Sequence, residues 1–267
     1  MTPAVRSPAV AGRFYPSDPD ALAELVDGLL DEAGSPEPDH QLASAYISPH
    51  AGYRYSGRTA SYVYSHLRAH ADQVQRVVLI GPAHYKPVRG CAVPTIRQWL
   101  TPLGVVTIDD DGCAALVDGG HATADDEPHA PEHSLEVQLP FLQRAVGADV
   151  PVLPIATGVS TMEGIAQVID AAGSAARGTV VICSTDLSHY ADQEAANRQD
   201  ERTVRAILDT DPERIGPRDA CGYYALRGLV YWARSQLSVP ELLHRSTSAD
   251  ATNDPSRVVG YAALALS

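Results

Sequence analysis

Short, almost continuously apolar segments alternate with amphipathic helical segments along this chain, and that alternation limits the folds that it can adopt. In two of the apolar segments, RVVLIG at 76–81 and TVVICS at 179–184, polar and apolar residues do not alternate. A strand of this kind is covered on both faces, as the strands of parallel sheets are. The sequence therefore predicts an α/β fold, with a mostly parallel or mixed central sheet sandwiched between helices.

The same periodicities place the remaining elements. Further strands are predicted at Ala43–Ser48, Cys91–Ile96, Val105–Ile108, Val150–Ala156 and Val258–Leu266. Helices are predicted from Asp18 or Asp20 to Leu30 and at Ser56–His70, His133–Val146, Thr161–Ala176, Ala191–Leu208 and Asp219–Ser235. No composition shift divides the 267 residues, so we expect one domain over 1–267. Between the predicted helices, the polar stretch Gly119–Glu132 is a long loop, which in a compact domain is usually functional or mobile.

Charge and hydropathy argue against several classes of partner. The formal net charge is −13 and the chain has no run of lysines or arginines, so we expect neither nucleic acid nor an anionic membrane surface as a partner. No apolar stretch reaches the ~18 residues that span a bilayer, and no signal-peptide core is present. The four cysteines form no C-x-x-C pair. We therefore expect a cytoplasmic protein with free thiols.

Three of the predicted strands are each followed directly by a short polar motif that contains a histidine. The motifs are PHAGY at 49–53, GPAHY at 81–85 and STDLSHY at 184–190. In open α/β sheets, ligands bind at the carboxyl ends of the strands. If the three strands are parallel neighbours, one sheet edge gathers His50, His84, Asp186 and His189. Histidine is both the commonest metal ligand and the usual acid or base at neutral pH, and the pattern alone does not separate these roles.

Two further clusters carry residue types that are common in active sites. The segment EHSLE at 132–136 begins a predicted helix, and Ser/Glu capping explains part of it. His133 and Glu136 are three residues apart and can face the site together, as acid, base or supporting groups. His129, in the preceding loop, is expected to be solvated. Cys221 is at the start of a predicted helix, where the helix dipole favours a thiolate. Composition alone instead favours the interpretation that Cys221 is a small buried hydrophobic side chain, as most free cysteines are.

The motifs VAGRFYP, PHAGY, GPAHY, EHSLEVQLPFL, STDLSHY and ACG, in this order and spacing, resemble the Memo family. Its bacterial members are called AmmeMemoRadiSam system protein B. The resemblance extends from about Ala9 to the segment VVGYAALAL at 258–266. The family is similar in fold to the LigB-like class III extradiol dioxygenases, which are non-haem Fe(II) enzymes. The resemblance therefore implies a single LigB-like domain.

The resemblance also implies roles for individual residues. It implies one metal ion bound by the histidines of PHAGY and GPAHY and by the cysteine of the ACG motif, which are His50, His84 and Cys221. Asp186 and His189 match pocket residues beside the metal. His133 and Glu136 match an EHS-x-E motif, and we count these four as candidate catalytic residues: His189, Asp186, His133 and Glu136.

Such a ligand set favours iron, copper or zinc over magnesium or calcium, because thiolate is a soft ligand. It leaves three functions open. The first is an iron- or copper-dependent, dioxygenase-like oxidoreductase, in which His189 moves protons and is held by Asp186. The second is a zinc hydrolase with His189 or Glu136 as the general base. The third is a non-enzymatic protein that handles metal or binds partners, such as radical-SAM proteins of the AmmeMemoRadiSam system. In the first two cases the substrate is an unidentified small molecule or peptide.

Overall fold

The alternation of strands and helices is present in the computed structural model, which describes residues 4–37, 40–173 and 176–267. The strands are β1 (Val5–Arg6), β2 (Ala45–Ser48), β3 (Arg76–Pro82), β4 (Cys91–Val93), β5 (Gln98–Thr101), β6 (Gly104–Thr107), β7 (Thr123–Ala124), β8 (Val152–Thr157), β9 (Thr179–Ser184), β10 (His189–Ala191), β11 (Pro240–Thr247) and β12 (Val258–Leu266). The helices are α1 (Pro19–Ala33), α2 (Tyr53–Ala69), α3 (Asp110–Asp118), α4 (Leu139–Ala145), α5 (Met162–Ala171), α6 (Gln193–Leu208), α7 (Tyr223–Ser235) and α8 (Ala249–Thr252).

The large sheet has a parallel centre and antiparallel edges. Its strand order is β10-β12-β2-β9-β3-β8-β4-β7, and β11 pairs with β12. The four central strands β2, β9, β3 and β8 are parallel, whereas β12 and β4 run antiparallel to their inner neighbours. A smaller sheet has the order β1-β5-β6. The predicted α/β fold with a mixed, largely parallel sheet is therefore confirmed.

Helices cover both faces of the central strands. The connection from β2 through α2 to β3 passes β9, and the connection from β8 through α5 to β9 passes β3 in the opposite direction. Because such crossovers are right-handed, α2 and α5 lie on opposite faces. Helices α1 and α4 pack on α2, and α7 packs on α5. Every residue of β8 and β9 is buried as a result, which accounts for their continuous apolar sequence.

The strand ends that carry the polar motifs are neighbours in space. Strand β9 lies between β2 and β3 and is parallel to both, with Ser184 of β9 paired to Ser48 of β2. The segments that follow the three strands therefore leave the same edge of the sheet. Chain connections depart to opposite faces at this point, which is where open α/β sheets bind their ligands.

The structure differs from the sequence prediction mainly in short or exposed elements. The elements that were not predicted are the strands β1, β5, β7, β10 and β11 and the helices α3 and α8. Most of them are short, and β11 (PELLHRST) is largely exposed and carries charged residues without a clean alternation. The helix predicted at His133–Val146 is shorter. It begins as a 3₁₀ turn at Glu136–Gln138, and α4 follows with Pro140 in its first turn, where proline is tolerated. Helix α7 begins at Tyr223, so Cys221 lies in the turn before it.

Two further features hold for the residues that the structure describes. No helix in these segments is both long enough and apolar enough to cross a bilayer. All four cysteines are free, and Cys221 is the one that is not fully buried. Cys221 is therefore the cysteine that can serve a site open to solvent.

Candidate metal centre

Two imidazoles and one thiol from distant chain segments meet at the carboxyl edge of the central strands. The potential ligand atoms of His50, His84 and Cys221 all lie within 4.8 Å of one another. The Sγ atom of Cys221 is 3.2 Å from Nε2 of His50, and the ring centroids of His50 and His84 are 5.2 Å apart. One ion can therefore reach all three side chains.

The tautomer of His50 is fixed by a buried serine. The Oγ atom of Ser184 donates its only proton to the carbonyl oxygen of Ser134, at 2.6 Å. It therefore accepts from the Nδ1–H group of His50, 2.9 Å away. This bond leaves the lone pair of His50 on Nε2, the nitrogen that faces the sulfur of Cys221. Burial, followed by the charge of His84, holds the pKa of His50 well below its ordinary value, so the imidazole is neutral, as a ligand must be.

A buried carboxylate orients His84 in the same way. Oε1 of Glu132 lies 2.8 Å from Nδ1 of His84, and Oε2 accepts from the backbone N–H of the same residue at 2.5 Å. Burial raises the pKa of Glu132, but hydrogen bonds from His84 and its charge outweigh this effect and lower the pKa to about 2. A carboxylate that accepts from one ring nitrogen leaves the other for a metal, and carboxylate–histidine–metal arrangements of this kind are common.

The thiol of Cys221 is held against the end of β9. The backbone N–H of Asp186 donates to its Sγ atom at 3.3 Å, and the backbone N–H of Cys221 donates to the carbonyl oxygen of Asp186 at 3.2 Å. The next residue, Gly222, has no room for a side chain, since a Cβ atom there would lie 2.7 Å from Oγ1 of Thr185. Burial, with the charge of Asp186, raises the pKa of Cys221 to about 12, and a bound cation would reverse this preference and favour the thiolate.

A second group of possible ligands overlaps the first. His84, Glu132 and His133 also lie close enough to share an ion. However, Oε1 of Glu132 accepts from the backbone N–H groups of His133 and Ser134, at 3.0 and 2.9 Å, as well as from His84. Its lone pairs are therefore used, and we assign Glu132 to the orientation of His84. The donor set that fits a metal is His50, His84 and Cys221.

An open pocket of about 460 Å³ lies next to these three residues, and its lining includes His133, Asp186 and His189. The ring of His133 stacks on His84 with centroids 4.7 Å apart, and it lies 5.3 Å from the ring of His50. Burial, followed by the charges of His50 and His84, lowers the pKa of His133 to about 4. Three of the four candidate catalytic residues therefore line this cavity, and they are neighbours of the potential ligands, which are not themselves among its lining residues.

Asp186 and His189 lie in the pocket without the hydrogen bond that was expected between them. Oδ1 of Asp186 accepts from the backbone N–H of His50 at 2.7 Å, so this carboxylate positions a ligand. Nδ1 of His189 is 2.8 Å from the carbonyl oxygen of Leu187, which can only accept. Nδ1 of His189 is therefore a donor, and in the neutral imidazole the lone pair is on Nε2.

The structure places Glu136 outside the pocket. Its carboxylate is completely buried and forms an ion pair with Arg6, with Nη1 and Oε2 2.7 Å apart. It also accepts from the hydroxyl group of Tyr15 at 2.6 Å and from two backbone N–H groups. The spacing of three residues would bring His133 and Glu136 together on an α-helix, but residues 133–138 are not α-helical, and α4 begins only at Leu139. The expectation that His129 is solvated is also wrong, because that side chain is 1% exposed.

Three residues that support the centre were not identified from the sequence: Glu132, Ser184 and Gln138. Nε2 of Gln138 donates to Oγ of Ser184 and to the carbonyl oxygen of Pro49, at 2.8 and 2.9 Å, and so ties together the ends of β9 and β2. A usable signal existed only for Glu132, an acidic residue directly before a candidate histidine at the end of a long loop.

Comparison with known proteins identifies the family of this chain. A family model described as Memo-like protein matches residues 6–265. The chain belongs to the Memo family. Curated relatives, each called a MEMO1 family protein, include one from Archaeoglobus fulgidus with 37% identity over 97% of this chain and 98% of its own length. Others are from Methanopyrus kandleri, with 35% identity, and Nitrosopumilus maritimus, with 32%, and both have the same coverage.

The family match covers the whole candidate centre of this Memo-family chain. The three ligand candidates, the pocket residues and Glu132 all lie between residues 6 and 265. The names of these relatives state no metal and no reaction. The chemistry of the site must therefore be argued from its geometry.

Proposed function

We propose that this Memo-family chain is an oxidoreductase that holds a single iron or copper ion through His50, His84 and Cys221. The observation that carries the proposal is the convergence of two imidazoles and one thiol within 4.8 Å, beside a pocket that holds further histidines. Imidazole and thiolate together suit copper, iron or zinc. A bound iron or copper ion would supply the electron-transfer step that oxidises a substrate, with O₂ as the oxidant.

The residues around the ligands suit proton transfer to and from a bound substrate. Nε2 of His189 carries a lone pair, because Nδ1 donates to the carbonyl oxygen of Leu187. His189 therefore accepts a proton from a substrate hydroxyl group or from water in the pocket. General bases of this kind contribute about 10²- to 10⁴-fold to a rate. His133 lies deeper, stacked on His84, and its low pKa keeps it neutral, so it positions the substrate rather than carrying charge.

A zinc hydrolase is the main alternative, and the structure removes one of its two candidate bases. The carboxylate of Glu136 is bound to Arg6 and Tyr15 and does not line the pocket. Asp186 lines the pocket, but one of its oxygens is held by the backbone of His50. The hydrolytic hypothesis therefore depends on His189 alone.

The identity of the bound metal is the first test. The protein is purified without chelators from cells grown with iron, copper and zinc, and its metal content is measured beside that of His50→Ala. We expect about one iron or copper ion per chain in the wild type and none in the variant. Wild-type protein that holds only zinc, and is fully active with it, would establish the hydrolase instead.

Oxygen consumption is the second test. We expect the iron- or copper-loaded protein to consume O₂ in the presence of a reductant such as ascorbate, and the zinc-loaded protein not to do so. His189→Gln should lower the rate by about 10²-fold while the metal content stays constant. His121→Gln, in the loop outside the pocket, is the matched control. An unchanged rate in His189→Gln would remove this residue from the mechanism, and a protein that only stores metal would show no turnover in any variant.

The reducing cytoplasm is the location that we propose for this activity. Cys221 must stay reduced in order to bind a metal, and all four cysteines are free. Partner proteins of the AmmeMemoRadiSam system remain a proposal that follows from family membership.

A further inference from the structure

We propose that Arg13 and Arg257 form an anion-binding entrance to the pocket, so that the site selects a small aromatic substrate that carries a carboxylate or a phosphate group. Both arginines line the pocket that also contains His133, Asp186 and His189. The proposal rests on the proposed function only in taking this pocket as the substrate site.

Arg13 lies on the His133 side of the pocket. The next residue, Phe14, packs its ring on that of His133, with centroids 4.8 Å apart. The carbonyl oxygen of Phe14 accepts from the backbone N–H of Tyr53 at 2.7 Å, which fixes this segment to the start of α2. Arg13 is therefore attached to a rigid part of the pocket wall, while its own side chain is exposed.

Arg257 lies on the His189 side. Its guanidinium group is 4.4 Å from the ring centroid of Tyr190, and the rings of Tyr190 and His189 are 5.5 Å apart. Tyr190 has a φ of 64°, a left-handed conformation that is unusual for a residue with a side chain. This conformation is found where the proposed base and Arg257 are brought together. Asp254 also lines the pocket, and its carboxylate accepts from the backbone N–H of Ser256, but none of its oxygens lies within 4.0 Å of the guanidinium group of Arg257.

Arg13 and Arg257 belong to the arginines that form no ion pair with a described carboxylate. Among the described residues, neither has a carboxylate oxygen within 4.0 Å. The arginines that do form such ion pairs are Arg6, Arg68, Arg76, Arg97, Arg144, Arg198, Arg205, Arg214 and Arg234. Asp186 and Asp254 line the same pocket, but these two guanidinium groups have no direct ion pair with a described carboxylate and are therefore able to bind an anionic ligand there.

The other walls of the pocket indicate the shape of the ligand. Aromatic rings line it at Phe14, Tyr55, Tyr190 and Tyr261. A volume of about 460 Å³ suits a small molecule, and aromatic walls favour a flat one. Arg13 and Arg257 line this pocket, whereas the three candidate metal ligands are not among its lining residues. We therefore place the anionic group of the ligand towards the arginines.

Binding of simple aromatic probes to the zinc-loaded protein tests this inference without turnover. Calorimetry compares benzoate and phenylphosphonate, which are anionic, with benzamide and benzyl alcohol, which are neutral. The variants are Arg13→Gln, Arg257→Gln and the double variant. Arg202→Gln is the matched control, because Arg202 is an exposed arginine outside the pocket and forms no ion pair with a described carboxylate.

We expect the anions to bind more tightly than the neutral probes. Each single substitution should weaken anion binding about 10-fold, and the double substitution should weaken it further, with the zinc content unchanged. The benzoate and phenylphosphonate arms show which anion the entrance prefers. Arg202→Gln should bind as the wild type does.

Three results would overturn the inference. They are equal binding of neutral and anionic probes, no anion binding at millimolar concentration, and full anion binding by the double variant, which would mean that the metal holds the anion. The proposed oxidoreductase function can be refuted independently of this inference. If iron- and copper-loaded protein consumed no O₂ while the arginine-dependent binding persisted, only the proposed oxidoreductase would be wrong.

Discussion

Replacing Glu132 with glutamine should weaken metal binding although Glu132 is not one of the three ligands. Its carboxylate receives four N–H groups: the backbone and Nδ1 of His84 at 2.5 and 2.8 Å, and the backbones of His133 and Ser134 at 3.0 and 2.9 Å. Glutamine keeps the volume but offers one oxygen and one NH₂ group. If its oxygen takes the place of Oε1, its NH₂ group faces the backbone N–H of His84, and a buried donor loses its acceptor.

The expected magnitude follows from these contacts. Loss of one hydrogen bond to a charged group costs about 1.5–3 kcal/mol. The bond that orients His84 also becomes a neutral one, which is roughly half as strong. Part of this cost lowers the free energy of unfolding. The remainder lowers the affinity for the metal, typically by 10- to 100-fold, or about 1.4–2.8 kcal/mol.

A chelator competition titration measures this effect directly. Zinc is titrated against a chromophoric chelator in the wild type, in Glu132→Gln and in Glu127→Gln, which makes the same change at an exposed position of the same loop. We expect the wild type and Glu127→Gln to agree. A Glu132→Gln protein that is folded by circular dichroism and binds zinc within twofold of the wild type would refute the assignment of Glu132 to the orientation of His84.

Three further substitutions separate the metal centre from the rest of the fold. Cys221→Ala should abolish metal binding in elemental analysis, whereas Cys183→Ala, at a fully buried cysteine in β9, should retain it; equal loss in both would argue against the ligand assignment. Glu136→Gln should lower the free energy of unfolding in urea by about 3 kcal/mol, because it leaves the buried Arg6 unpaired, and a change below about 1 kcal/mol would contradict this. Burial, followed by the charges of His40 and His70, lowers the pKa of His66 from 6.5 to about 4. The unfolded chain therefore binds this proton first, so the stability that neutral His66 contributes is complete above about pH 6.5 and is lost as the pH falls towards 4. Unfolding of His66→Leu should depend less on pH over this range, and an equal slope would contradict the prediction.

The sheet edge that holds the centre could be predicted because its determinants are local. Continuous apolar runs identify buried parallel strands, and the polar motifs that follow them identify the edge where ligands bind. The prediction needed the strands that precede His50, His84 and Asp186 to be neighbours. The order β2-β9-β3 makes them so.

Glu136 shows where local reasoning failed. Its spacing from His133 suggested one face of a helix, but a 3₁₀ turn precedes α4 and directs the carboxylate towards Arg6, 130 residues away in sequence. A charged residue can be completely buried only if it finds a partner. Nothing near Glu136 in the sequence identifies that partner, because the N-terminal strand and this turn meet only after folding.

The sequence by itself determined the strand and helix classes, the sheet edge of the site and the identities of its chemical groups, because these depend on periodicity and on residue type within short windows. The tertiary structure decided which ring nitrogen of His50 and His84 is free, which carboxylate orients a ligand, and which arginines border the pocket. Those properties depend on hydrogen bonds such as Glu132 to His84, made across 48 residues of sequence. Contacts at that separation are selected by packing of the whole sheet and its helices, and no local pattern encodes them.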